Sequence, residues 1–196
     1  MDTEHWTKTN LEKHIQSYFT VSGSGLSDLS TLFKPMVLLK GEYFLQKGQP
    51  SNQLGFVQSG ILREFVFAND KEVTKWIATR GNFVVDLSGY VFGDSSRWNI
   101  QALTDCELFV IDKKDYLKIN QTVPAWPELE KQFITKCFAI LEERILSFLS
   151  MDAKERYDQF FRFNPSLFNE VPLQYLASML GMTPETLSRI RRKDSG

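Results

Sequence analysis

The sequence contains only two cysteines, Cys106 and Cys137, and only two histidines, His5 and His14. Two cysteines cannot form the disulfide framework of a small secreted protein, so we expect a reducing compartment, the cytoplasm. No apolar run approaches the roughly 18 residues that a membrane span needs, and no signal peptide precedes Leu11. We therefore expect a soluble protein without a membrane partner.

Residues that bind metals or perform catalysis are equally scarce. Barrels of the cupin type carry their metal-binding histidines on the strands, whereas both histidines of this chain lie near its start. No catalytic dyad is visible, which disfavours an enzyme on a cupin-like barrel. Clusters of cysteine or histidine that could hold haem or an iron–sulfur cluster are also missing. We expect no catalytic residue, no metal and no cofactor.

The formal net charge of the 196 residues is −1, so total charge gives no indication of a nucleic-acid partner. The positive charge is local, because Arg189, Arg191, Arg192 and Lys193 fall within one helical turn near the C-terminus. A basic helix end is commonly just solvated, so the charge needs a structural context before it indicates DNA. The length suits one medium domain and one small domain.

The stretch from Val171 to Lys193 supplies that context, because its pattern is a helix-turn-helix. Apolar residues repeat at helical spacing in the first helix, at Leu173, Leu176, Ala177 and Leu180. Gly181 suits the left-handed conformation that ends a helix, and Thr183 can cap the next one. Pro184 fits the first position of that second helix, whose inward residues are Leu187 and Ile190.

The opposite face of the second helix is polar and carries Glu185, Ser188, Arg189 and Arg192. Such a helix fits the major groove of double-stranded DNA, where arginine offers a bidentate fork to guanine O6 and N7. Thr186 and Lys193 are placed to reach phosphates, and we include Thr183 among the DNA-binding residues. The alternative is an ordinary helical hairpin with a solvated basic end.

The run from Leu176 to Arg189 resembles the DNA-binding motif of the Crp/Fnr transcriptional regulators. The recognition helix of that family has a Glu-Thr-x-x-Arg core, which is Glu185, Thr186 and Arg189 here. The resemblance implies that Glu185 and Arg189 read base edges and that RNA polymerase is a further partner. Pro184 stands where well-known members have another arginine, so the base contact of that arginine is not expected.

Between Met36 and Asp112 the sequence alternates short strands with turns. The predicted strands are Met36–Leu39, Tyr43–Gln46, Leu54–Gln58, Ile61–Ala68, Glu72–Thr79, Asn99–Leu103 and Glu107–Ile111. Asn69-Asp70 is the clearest hairpin turn, and strands at this spacing favour an antiparallel sandwich or jelly roll. The order Leu45-x-x-Gly48 followed by Gly60 resembles the cyclic-nucleotide-binding jelly roll of the Crp/Fnr family, as does the run from Thr104 to Leu108.

A long helix is predicted from about Glu128 to Ser150, after Pro124 and Pro127. Five of its residues alternate by four and three like a coiled-coil seam: Ile134, Phe138, Leu141, Ile145 and Phe148. A second apolar stripe contains Leu129, Phe133, Cys137 and Ile140. Because both apolar stripes must be shielded from water, one is expected to pack on the jelly roll and the other on a twin helix in a homodimer. The alternative is a helix wholly inside one core.

Family members that bind cyclic AMP hold its phosphate with a Gly-Glu pair and an Arg-Ser or Arg-Thr pair. This chain has no Gly-Glu pair in the matching region, and Ser96 stands at the position of the arginine, with Arg97 one residue later. A shift of one residue turns an extended side chain to the opposite face. We therefore predict that cyclic AMP and cyclic GMP do not bind and that an unknown small-molecule effector, if there is one, lies near Asp86, Ser96 and Arg97.

The predicted fold class is α+β: an N-terminal antiparallel jelly roll, a dimerisation helix and a C-terminal helix-turn-helix. The predicted domains are residues 1–126 (sensor), 127–150 (dimerisation helix) and 151–196 (DNA-binding). Few residues follow the recognition helix in this sequence, so we expect the β wing that often follows it in the family to be absent or shortened. The expected function is sequence-specific DNA binding that regulates transcription. The alternative is a small-molecule-binding jelly roll whose terminal helices serve only protein contact.

Overall fold

The computed structural model describes residues 11–13, 15–16 and 24–194. Residues 11–13 and 15–16 are helical, and helix α1 follows at Ser24–Thr31. Leu11 and Ile15 are buried, in agreement with the helical spacing predicted for them. Both histidines lie outside the described residues, as do Tyr18 and Phe19 of the same predicted helix face.

The described strands form two sheets of four strands each. In chain order the strands are β1 (Lys34–Leu38), β2 (Tyr43–Leu45), β3 (Gln53–Ser59), β4 (Leu62–Ala68), β5 (Lys71–Ala78), β6 (Phe83–Val84), β7 (Asn99–Ala102) and β8 (Cys106–Asp112). One sheet has the order β1-β8-β3-β6 and the other β2-β7-β4-β5. The pairs that β8 makes with β1 and β3 are antiparallel, as are β2/β7 and β3/β6. The predicted antiparallel jelly roll is confirmed.

The backbone conformation of two turns in the jelly roll accounts for the residues that occupy them. Asn69 and Asp70 between β4 and β5 have φ of 50° and 58°. Positive φ at both positions is the type I′ hairpin turn, whose twist matches that of the flanking strands. Gly60 has φ of 88°, and a Cβ there would overlap the Asp105 carbonyl oxygen and lie 2.6 Å from Cys106 Sγ. Only glycine fits that position.

The remaining helices follow from the end of β6 onward. Their bounds are α2 (Leu87–Phe92), α3 (Lys113–Tyr116), α4 (Ile119–Thr122), α5 (Trp126–Ser150), α6 (Ala153–Phe163), α7 (Leu167–Glu170), α8 (Leu173–Met179) and α9 (Pro184–Asp194). A capping box opens α6: Asp152 accepts a bond from the Glu155 amide at 2.9 Å, and Glu155 accepts one from the Asp152 amide at 2.8 Å. This pair satisfies amides that would otherwise lack partners at the helix start. None of the helices in the described ranges is long and apolar enough to cross a membrane.

The first half of α5 belongs to the core of the jelly roll. Leu129 and Phe133 are buried there among strand residues such as Leu54 and Phe56, and the partly buried Cys137 packs against the same cluster. Burying each such side chain contributes about 1.5 to 3 kcal/mol. The prediction was wrong for Ile140, which is 49% exposed. The buried stripe therefore ends at Cys137, one helical turn earlier than predicted.

The chain divides into two compact units. The first contains residues 1–63 and 78–137, and the second contains residues 64–77 and 138–196. Most of the β4–β5 hairpin thus belongs to the unit that contains the C-terminal helices. The domain boundaries given above, at residues 126 and 150, stay a prediction.

Candidate nucleic-acid interface

Helix α8 ends in the turn of the helix-turn-helix. The Met182 amide donates to the Ala177 carbonyl at 3.0 Å, and the Gly181 amide donates to the Ser178 carbonyl at 3.1 Å. This pair of bonds is a Schellman motif, which requires the left-handed conformation that Gly181 adopts with φ of 66°. Ala177 is completely buried. The structure therefore agrees with the predicted role of Gly181 and with the inward position of Ala177.

Gly181 is required for a second reason, which the sequence did not reveal. A Cβ atom at Gly181 would overlap Cε1 of Phe148 and lie 3.2 Å from its Cδ1. The aromatic ring thus packs directly on the backbone of the turn. Any side chain at Gly181 would have to displace that ring as well as adopt a strained φ.

Helix α9 begins as predicted and buries the predicted face. The Thr183 hydroxyl accepts a hydrogen bond from the Thr186 amide at 3.2 Å, which caps the helix. Pro184 occupies its first position. Leu187 is completely buried and Ile190 is 8% exposed. These contacts fix which face of α9 is turned to solvent.

The residues predicted to bind DNA lie on the remaining surface of this helix. Exposed side chains are those of Thr183, Glu185, Arg189, Arg192 and Lys193, while Thr186 and Ser188 are half-buried. Hydrogen bonds from its own backbone amide and from Thr183 lower the pKa of Glu185, so its carboxylate is charged at neutral pH. Arg191 differs from its neighbours, because its guanidinium lies 5.5 Å from the Phe168 ring centre.

An open cleft lies between the start of α6 and the exposed side of α9. Its volume is about 380 Å³, and its lining includes Thr186, Arg189 and Lys193 from α9. Lys154 of α6 lines the cleft as well, with its Nζ 2.9 Å from Asp158. The sequence pattern gave no reason to select Lys154, because it lies on another helix. Three cationic side chains therefore converge on one cleft in the second unit.

The structure brings together the three residues predicted to lie near an effector. The buried Asp86 carboxylate accepts hydrogen bonds from Ser96 Oγ at 3.1 Å, the Arg97 amide at 2.8 Å and the Gly89 amide at 3.4 Å. Asp86 is also the N-cap of the short helix α2. The Arg97 side chain is exposed, and its guanidinium lies 5.9 Å from the ring centre of Trp98. In the part of the chain that the structure describes, no group of three or more potential ligands could hold a metal ion.

Comparisons with known proteins agree with this architecture. Residues 35–122 match the family described as cyclic nucleotide-binding domain, whereas a search of curated proteins gives no match. A mutant of CooA from Carboxydothermus hydrogenoformans is similar at 21% sequence identity, with a TM-score of 0.62 over 83% of this chain and 76% of that one.

Two further solved structures are similar over most of the chain. One is CLP from Xanthomonas campestris, described as a c-di-GMP-responsive global regulator, with 18% identity and a TM-score of 0.65 over 87% of this chain and 90% of that one. The other is the catabolite activator protein of Thermus thermophilus, with 16% identity and a TM-score of 0.54 over 96% and 83%.

The fold consists of a jelly roll, followed along the chain by a long helix and a helix-turn-helix. Residues 35–122 match the family of cyclic nucleotide-binding domains, and the chain shares its fold with CooA, CLP and the catabolite activator protein. The resemblance predicted from the sequence is confirmed.

Proposed function

We propose that this chain is a homodimeric regulator of transcription that binds double-stranded DNA through α9. The observation that carries the proposal is the division of α9 into two faces. Leu187 and Ile190 are buried, while Glu185, Arg189 and Arg192 project into solvent. Similar architectures occur in proteins described as a global regulator and a catabolite activator. RNA polymerase is a further partner in this proposal.

The side chains of α9 divide into base-reading and phosphate-binding groups. Arg189 offers two parallel donors that fit guanine O6 and N7, and the charged Glu185 carboxylate is a fitting acceptor for the cytosine amino group. Lys193, Thr186 and Lys154 surround the neighbouring cleft, where their donors suit phosphate oxygens. The recognition helix therefore supplies both sequence discrimination and sequence-independent affinity.

The test begins with selection of duplexes from a random DNA pool by the full-length protein. Arg189→Ala should then weaken binding to the selected duplex by about 1 to 3 kcal/mol and relax the preference at one position of each half-site. Lys193→Ala should weaken binding to selected and random duplexes alike and reduce the salt slope by about 1. Equal losses on both duplexes for Arg189→Ala would contradict its role in base readout.

The exposed apolar side chains of α5 support the dimer. The five seam residues are between 41% and 60% exposed: Ile134, Phe138, Leu141, Ile145 and Phe148. Leu149, which the seam pattern did not include, is 81% exposed beside them. A continuous apolar stripe of this kind is unfavourable in water and fits a twin helix of a second copy. The DNA site should accordingly be roughly palindromic, with half-sites about one DNA turn, about 34 Å, apart.

We further propose that the sensor does not respond to cyclic AMP. The Asp86 carboxylate already accepts bonds from Ser96 Oγ and from the amides of Arg97 and Gly89. A phosphate brought to this region would meet the buried Asp86 carboxylate, and the exposed Arg97 guanidinium lies 5.9 Å from the ring centre of Trp98. Without a charge-assisted partner, the phosphate would lose more hydration than it gains in hydrogen bonds. Any effector near these residues must be of another chemical class.

The second candidate function is a small-molecule-binding jelly roll whose terminal helices make only protein contacts. The three donors directed at Asp86 favour it, since they make the region polar and structured. The same DNA selection separates the two candidates. Failure to enrich any sequence, with no affinity for random duplex at low salt, would favour the second one.

A further inference from the structure

The last turn of α8 is held by two arginines from other helices. Arg144 Nη2 of α5 donates to the Met179 carbonyl at 2.8 Å, and Arg156 Nε of α6 donates to the Leu180 carbonyl at 2.9 Å. Arg156 also reaches the Gly181 carbonyl at 3.4 Å. Carbonyls at a helix end lack partners within the helix and carry partial negative charge, so guanidinium groups are well suited to them.

The β4–β5 hairpin reaches the same turn. The amide of Thr74 in β5 donates to Ser178 Oγ at 2.9 Å, although the two residues are 104 positions apart in the chain. The Arg144 guanidinium lies 5.5 Å from the ring centre of Trp76, also in β5, and 5.5 Å from that of Phe148. Cations at this distance from aromatic faces are attracted to them. Arg144 thus contacts the hairpin and the turn at the same time.

Charge on the hairpin strengthens this arrangement. Burial lowers the pKa of Arg144, and the nearby Glu64 carboxylate opposes that shift. Glu64 belongs to β4, is 5% exposed and forms an ion pair of 2.6 Å with Lys75. Since arginine remains protonated in proteins, Arg144 is a fixed positive charge between the hairpin carboxylate and the end of α8.

We propose that Arg144 is a positioning residue for DNA recognition, which fastens the β4–β5 hairpin to the helix-turn-helix turn and thereby fixes the start of α9. The inference rests on the proposed DNA-binding function. It goes beyond that function because Arg144 lies outside α9 and makes none of the proposed contacts with DNA. In this proposal, the β4–β5 hairpin is a structural part of the DNA-binding unit.

The experiment compares three variants of the full-length protein. Arg144→Met removes all the donors and the charge, Arg144→Lys keeps the charge and one donor site, and Arg162→Met removes the same charge from an exposed position of α6. The quantity measured is the ratio of affinities for a duplex selected by the wild-type protein and for a random duplex, at 25 °C. Each variant is first shown by circular dichroism to be fully folded at that temperature.

A misplaced recognition helix loses base contacts but keeps general attraction to phosphates. Arg144→Met should therefore lower the affinity ratio about tenfold, and Arg144→Lys should lower it by less than about threefold. Arg162→Met should leave it unchanged. A residue that only stabilised the fold would shift the unfolding transition without moving this ratio, so a wild-type ratio for Arg144→Met would overturn the proposal.

A second measurement needs no DNA. Hydrogen exchange of the Gly181 and Met182 amides, which close the turn, should be about tenfold faster in Arg144→Met than in the wild type. Unchanged exchange would also overturn the proposal. If the wild-type protein binds no DNA at all, the proposed function fails, and the exchange rates alone then decide whether Arg144 holds the turn.

Discussion

Replacement of Gly181 by alanine should destabilise the second unit strongly. A non-glycine residue in the left-handed region costs about 1 to 2 kcal/mol. The new methyl would also overlap the Phe148 ring, and comparable overpacking costs about 1 to 3 kcal/mol. We therefore expect the free energy of unfolding to fall by about 2 to 5 kcal/mol.

The two contributions can be separated with Phe148 and Gly48. Gly48 has φ of 88°, and no atom lies within 4 Å of the position that a Cβ would take there, so Gly48→Ala should show only the backbone cost. In a Phe148→Ala background the overlap is gone, so Gly181→Ala should cost about 1 to 2 kcal/mol there. Urea denaturation followed by circular dichroism gives the free energies. The same cost of Gly181→Ala in both backgrounds would refute the packing argument.

Three further predictions concern assembly, ligand and helix capping. Leu141→Glu places a charge in the α5 seam and should give monomers in sedimentation experiments; a wild-type protein that is monomeric at micromolar concentration would contradict the seam. Calorimetric titration with cyclic AMP should give no binding heat at micromolar concentration, because the Asp86 carboxylate would repel the phosphate; micromolar affinity that is abolished by Arg97→Ala would overturn this prediction. Thr183→Ala removes the cap of α9 and should lower stability by about 1 kcal/mol, whereas Thr183→Asn should retain it; equal stabilities would contradict the capping role.

The sequence predicted the elements whose signals are local. Alternation of apolar residues located seven of the described strands, and the Asn69-Asp70 turn was predicted because its residues tolerate positive φ. Strand β6, Phe83–Val84, has only two residues and cannot show an alternating pattern. The sequence does carry a signal for helix α2: Asp86 caps its start, and Gly93, with φ of 83°, ends it.

Features that depend on distant parts of the chain could not be predicted in this way. The bond between Thr74 and Ser178 and the position of Arg144 near Trp76 have no counterpart in local spacing. Lys154 joins the cleft beside α9 for the same reason, because its helix is brought there by packing. The end of the buried α5 stripe before Ile140 likewise depends on how far the jelly-roll core extends, which periodicity does not encode.

Phe148 belongs both to the predicted dimer seam of α5 and to the surroundings of the turn before α9, two features that the sequence pattern did not connect. Seam spacing predicted it for the dimer interface, but its ring packs on Gly181 and lies 5.2 Å from the Arg156 guanidinium, which itself donates to the turn. The ring is also 41% exposed, so a second copy can still contact it. If α5 pairs with a second copy as proposed, one side chain serves both surfaces, and a change in that pairing alters the environment of the turn. In the proposed dimer, assembly and presentation of α9 are therefore linked through Phe148.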